Sequence, residues 1–96
     1  MDKKQLALIQ GREFRDISLF DEENPTGRIM GRNVRINVNE RREIIVVSPE
    51  GMEILRAYAP EVKLLIHQGW GGITLICPGE GQDRTWVLHS VLHVRR

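Results

Sequence analysis

The tightest constraint on the fold is a six-residue stretch, Asn33-Val34-Arg35-Ile36-Asn37-Val38, in which polar and apolar residues alternate without a break. Successive side chains of an extended strand point to opposite faces. Val34, Ile36 and Val38 therefore line one face, and Asn33, Arg35 and Asn37 the other. The stretch predicts a strand with one buried face. Asn39-Glu40-Arg41-Arg42 supplies a polar turn after it, and Glu43-Ile44-Ile45-Val46-Val47-Ser48 a second strand. That second strand is apolar on both faces, which asks for cover from another layer.

Ser48-Pro49-Glu50 has the chemistry of a helix start, with serine as N-cap and proline at the first helical position. On a helical wheel Met52, Ile54, Leu55, Tyr58 and Ala59 share one side, and Glu50, Glu53 and Arg56 the other. Pro60 blocks continuation. The spacing predicts a helix over about residues 49–59, lying on the sheet by its apolar side.

Val62–His67 and Ile73–Cys77 read as two further strands joined by Gln68-Gly69-Trp70-Gly71-Gly72. Pro78-Gly79-Glu80-Gly81-Gln82-Asp83 is a turn cluster, and Arg84–Val94 reads as the last strand. Asp21–Gly27 is an acidic loop ending in proline and glycine. Residues 5–20 admit two readings. One is a short helix capped by Asp2, with Gln5 completing a capping-box-like pair and Gly11 just past its end. The other, preferred on the sequence, is a hairpin pairing Leu6–Ile9 with Phe14–Phe20.

Ninety-six residues, 41% apolar and 28% charged, make one ordinary globular domain, 1–96. The expected class is α+β and strand-rich: a small antiparallel sheet or partly closed β-barrel with one internal helix, about 49–59. The order strand–strand–helix–strand–strand is similar to that of the oligonucleotide-binding barrel. No diagnostic sequence pattern accompanies this order, so no residue role is carried over.

Fourteen Lys and Arg against thirteen Asp and Glu leave a net charge of +1, which argues against a dedicated polyanion binder. The lone Cys77 has no partner in the chain, which suits a reducing compartment. The apolar run Leu6–Ile9 is too short for a signal-peptide core or a membrane span. The expectation is a cytoplasmic protein with no membrane partner.

Local charge is less even. Arg28, Arg32, Arg35, Arg41 and Arg42 oppose only Glu40 across residues 28–42. Guanidinium forks suit phosphates, and Asn37 beside them offers donors and acceptors, so these six residues are the candidate nucleic-acid contacts. No aromatic residue interleaves with the arginines, and a solvated face paired to Glu40, Glu43 or the Asp21–Glu23 loop is the preferred account of them, since the overall charge is nearly neutral. Trp70, between glycines at a hairpin tip, is a candidate contact with a protein or, equally, a plug folded back over an end of the barrel; His89 and His93 on an outer sheet face are further candidate contacts.

Chemistry is harder to find. His67, Cys77, His89 and His93 show no metal-ligand spacing, since residues four apart on a strand lie roughly 13 Å apart. The glycine-rich turns lack the endings of phosphate loops. Cys77 has only His67 as a candidate base. No catalytic residue, metal or cofactor is expected. The reading is a non-enzymatic binding or regulatory module, probing nucleic acid through the Arg/Asn strand or a protein through Trp70 and sheet edges. Strands with two apolar faces, Ile44–Val47 and Val87–Val91, add the expectation of a homo-oligomer.

Overall fold

The computed structural model describes residues 1–90. In chain order these form α1 (Lys3–Ile9), β1 (Glu13–Phe20), β2 (Arg28–Val38), β3 (Glu43–Val47), β4 (Glu53–Tyr58), a 3₁₀ turn (Ala59–Glu61), β5 (Lys63–Ile66), β6 (Ile73–Cys77) and β7 (Arg84–Ser90). The seven strands make one antiparallel sheet in the order β4-β3-β2-β1-β7-β6-β5.

That order has a geometric consequence. β4 and β5 are the two margins of the sheet, yet only residues 59–62 join them. Seven strands laid flat would separate the margins by about 29 Å, while the chain from Tyr58 to Lys63 reaches at most about 18 Å. The sheet must therefore curl, and the result is a strand-rich half-barrel. Its concave side holds Phe14, Ile17, Val34, Ile36, Ile44, Val46, Ile73, Leu75 and Leu88, all fully buried. Pro60 and the 3₁₀ turn tighten the link, and Ala59 and Val62 bury there.

The N-terminal stretch is a helix followed by a strand, so the preferred pairing of Leu6–Ile9 with Phe14–Phe20 does not form. The capping box decides it. Asp2 Oδ1 accepts a hydrogen bond from the Gln5 N–H at 2.9 Å, and Gln5 Oε1 accepts from the Asp2 N–H at 3.1 Å. Gly11 turns the chain out with φ +75°. Ile9 is fully buried, and Leu6 and Met1 pack against the same core.

The predicted helix over 49–59 is absent; Glu53–Tyr58 is a strand instead. Ser48-Pro49-Glu50-Gly51 is a tight turn, closed by Gly51 N–H donating to Ser48 O at 2.9 Å and Ser48 N–H to Met52 O at 2.9 Å. Ser48 Oγ accepts from the Met52 N–H at 3.0 Å. Serine before proline suits the first two positions of such a turn as well as a helix start. Gly51, at φ +87°, breaks the helical path after a single turn. Leu55 and Ala57 then face Val46 and Ile44 across the ladder, a strand's period of two. With the helix gone, the similarity in element order to the oligonucleotide-binding barrel goes too.

The remaining strands agree closely with expectation, β6 residue for residue. β2 begins at Arg28, before the alternating stretch. The last strand is described to Ser90; its expected continuation to Val94, with His93, lies outside the described residues. On β3, Ile45 and Val47 are half-buried on the outer face. Ile45 sits between Asn37 and Arg56 in register, and Arg56 is tied down by Glu43 and Glu53 at 2.8 Å each.

Gly51→Ala separates the two structures of this segment. In a helix the change would stabilise by about 1 kcal/mol. At φ +87° it should destabilise by about 1–2 kcal/mol, read as a lower urea midpoint at unchanged slope.

Candidate functional site

Two features of the outer surface stand out, and each begins with a break in a strand. Phe14 and Ile17 are three apart in β1 and both fully buried. A regular strand would send them to opposite faces. The alternation resets at Arg15 and at Asn33, which stand at the same level on β1 and β2 without pairing; Asn33 has φ +53°. After the reset Asp16 turns to the convex face, opposite Arg32 on β2 and His89 on β7, yet it is buried there, 8% exposed.

Asp16 Oδ1 lies 2.7 Å from His89 Nδ1, and Asp16 Oδ2 accepts from Arg15 Nε at 3.2 Å. The carboxylate thereby holds one ring nitrogen of His89 and orients the imidazole. The next ring in the row is Trp70. It does not project from the hairpin tip but folds back onto the convex face, in the space a side chain at Gly72 would fill. A Cβ on Gly72 would come within 1.9 Å of Trp70 Cζ3 and 2.4 Å of the Leu88 carbonyl oxygen. The indole stacks on His67, with centroids 4.5 Å apart and planes 15° apart, and meets His89 at 5.1 Å and 36°. β6 lies between β5 and β7, and the two imidazoles come from just past the end of β5 and from β7. His67 Nε2 is in turn 2.7 Å from Thr74 Oγ1.

The structure therefore brings Trp70 and His89 together, as two of the three expected protein-contact residues. It adds Asp16, Arg15 and His67, which sequence spacing alone had not linked to them. Arg15, Trp70, His89 and Ser90 edge a hollow of about 290 Å³. His67 stacks on the indole and His89 tilts against it, while Trp70 stays 46% exposed.

The arginines lie differently. Arg28 starts β2 and Arg41 and Arg42 sit in the turn past its other end, about 33 Å away along an eleven-residue strand. Arg35 is ion-paired with Glu13, both well exposed. Asn37 lies on the same outward set as Arg35, opposite Ile45. Arg42 holds φ +61° in the turn, where Asn39 Oδ1 accepts from the Arg41 and Glu43 N–H groups at 2.9 Å each. Asn39 and Arg56 together hold the Glu43 carboxyl below its ordinary range. Arg28 and Arg32 make no ion pair among the described residues.

Arg32 belongs to the second feature, a cleft beside β2. The ladder to β1 runs to Arg28, but the ladder to β3 covers only Arg35–Val38. Beyond it the β3–β4 turn bends away. The gap, about 490 Å³, has Ile29, Met30, Arg32 and Asn33 on one wall and Pro49, Glu50 and Met52 on the other. At its floor Ile54 Cδ1 would meet a Cβ on Gly31 at 2.4 Å, so glycine lets the two strands close there. Ile29, Met30 and Met52 remain 49%, 38% and 69% exposed. The sequence pattern had assigned Met52 to a buried helix face. Ile29 and Met30 precede the alternating stretch and carry no period.

Cys77 is remote from both features and buried, and burial raises its pKa from 9.0 to about 11, with Asp83 adding to the shift. Among the described residues no three His, Cys, Asp or Glu side chains converge as metal ligands, and no helix is long and apolar enough to cross a membrane.

Gly72→Ala should expel Trp70 and shift the Leu88 backbone. The expected loss is about 1–3 kcal/mol of stability, with a red-shifted indole emission measured in a Trp86→Phe background. Cys77 should resist a thiol-labelling reagent at neutral pH in the folded chain and react on unfolding. The raised pKa favours the neutral thiol in the fold. Its contribution to stability is therefore complete below pH 9 and lost as pH rises toward 11. Over that window the parent should lose stability more steeply than Cys77→Ala.

No family model, curated protein or solved structure matches this chain, so its function rests on the geometry of its own residues.

Proposed function

We propose that the chain is a non-enzymatic binding module of the cytoplasm that engages another protein through the cleft beside β2. One observation carries the reading. β2 outruns its partner strand, and three large apolar side chains, Ile29, Met30 and Met52, stand exposed there among the polar Arg32, Asn33 and Glu50. Exposed apolar groups gathered in a concave place mark contact sites more often than scattered ones do. Nucleic acid is the weaker candidate. Its expected contacts are strung along a whole strand, one is ion-paired to Glu13, and the aromatic row is already stacked on itself. The buried thiol of Cys77 fits a reducing compartment.

A second reading, a homo-oligomer joined through a sheet margin, draws on Leu65 and Ile66. Both are 45% exposed on β5, which has an open edge.

A photo-crosslinking amino acid at position 52, in the cell that makes the protein, tests both. The expected result is a dominant protein adduct that is reproduced with the purified, identified partner and missing when the crosslinker stands at Leu8, exposed on α1. A nuclease-sensitive adduct would overturn the reading in favour of nucleic acid. The crosslinker at Leu65 should give an adduct of twice the chain's mass if the second reading holds; a monomeric product there rejects it.

A further inference from the structure

The cleft's walls say more than that a protein binds there. Resting on the reading above, we propose that the cleft takes up an extended segment of a different protein as an added strand on β2, and that this segment alternates apolar with acidic residues.

The backbone carries the first part. From Arg28 to Val34 the margin of β2 facing β3 has no ladder, over about 20 Å. Along an antiparallel strand alternate residues direct their N–H and C=O groups to the same side, so this margin presents donors and acceptors without a ladder partner, in short runs because Asn33 at φ +53° and the extra residue Met30 interrupt the alternation. β3 cannot supply the missing partner, because the Ser48–Gly51 turn sends the chain back as β4. The opposite wall cannot either, since Pro49 has no N–H to give. A strand entering the gap would lie beside β2 beyond the β3 ladder and meet these groups.

The side chains carry the second part. At about 490 Å³ the cleft is in the range of cavities that hold ligands. Ile29, Met30 and Met52 would cover apolar residues of the incoming strand, and methionine adapts to irregular shapes. Residues 28–38 contain three arginines and no acid. Arg35 is taken by Glu13, while Arg28 at the start of the unpaired stretch and Arg32 within it have no ion partner among the described residues, and Glu50 on the opposite wall pairs with neither. Acidic residues on the added strand would complete them. A second copy of residues 28–38 would bring three more arginines and no acid, and so would leave Arg28 and Arg32 without partners. The occupant is therefore a different, acidic segment.

The test uses the full ¹⁵N-labelled chain and three seven-residue peptides with blocked ends. The first alternates Val or Ile with Glu or Asp. The second carries Lys in place of every acid. The third is the acidic peptide with alternate backbone nitrogens methylated. The acidic peptide should shift amide resonances in residues 29–33 and 48–54 and slow hydrogen exchange along β2. The Lys and the methylated peptides should each bind about tenfold more weakly or less. Arg32→Glu should reverse the charge preference. Because Arg32 faces Asp16, Arg28→Glu provides the same test with less risk to the fold.

Methylated peptide binding as tightly as its parent would overturn strand addition and leave the cleft a protein site. Equal binding of acidic and Lys peptides would overturn the acidic partner. The same shifts on raising protein concentration without peptide would show a second copy in the cleft and overturn the heterologous partner. Absence of any peptide effect at millimolar concentration, with the same amides moved by a single-stranded RNA oligonucleotide, would overturn both this proposal and the protein-binding reading.

Discussion

The short link between the two sheet margins governs the whole molecule. A four-residue connection cannot bridge a flat seven-stranded sheet, so curvature is a consequence of connectivity and not of any one side chain. Curvature then creates one concave side, and the alternating strands fill it from both halves. It also leaves an open end near the link. There Met1 donates through its ammonium to the Ala59 and Val62 carbonyl oxygens at 3.3 and 3.2 Å, while Ile9 buries completely. A helix of seven residues is too short to be stable alone, so α1 persists because its apolar face docks against the core and its capping box fixes where it starts.

Bending a sheet this sharply also distributes irregularities, and the outer surface is built on them. The paired break at Arg15 and Asn33 keeps Ile17 inside while moving Asp16 outside, where it can reach His89. At the other end of the row a missing side chain has the same effect. Gly72 leaves a slot between two imidazoles, and Trp70 fills it from the hairpin above. Both devices turn a local departure from strand geometry into a fixed arrangement of polar and aromatic groups.

How much of this was legible in the sequence depended on whether a signal belonged to one conformation alone. The period of two over Asn33–Val38 has one meaning, and β2, β3 and β6 followed it. Ser48-Pro49-Glu50 has two, because a serine side chain and a proline φ serve a tight turn and a helix start alike. The residue that decided was Gly51, which falls on neither side of the helical wheel as drawn but which the chain holds at φ +87°. At the N-terminus the outcome reversed. The capping pair Asp2 and Gln5 was readable, and the apolar run beside it competed as a strand. The outer row escaped notice because Asp16 and His89 are 73 residues apart and meet only after β1 changes face. The cleft escaped because it is made by where a ladder stops, and no residue type marks that place.

A strand that outruns its partner raises the question of why the sheet does not complete itself. β3 would need to extend past Val47 to cover Arg28–Val34, but the Ser48–Gly51 turn sends the chain back, and Ile54 is the extra residue where β4 re-enters the pairing with β3. Its departure lets Ile54 pack into the space that Gly31 leaves open, so intramolecular packing at the floor is gained where the ladder above it is given up. The exposed N–H and C=O groups keep their bonds to water, which makes the open margin inexpensive in the free chain. Burial changes that balance. Any partner that covers Ile29, Met30 and Met52 also removes water from the margin, and must then supply the hydrogen bonds itself. An apolar surface of arbitrary shape would leave those groups unpaired. An extended backbone satisfies them and covers the apolar wall at once, and the physical demand of the site therefore falls on the conformation of the partner before its sequence.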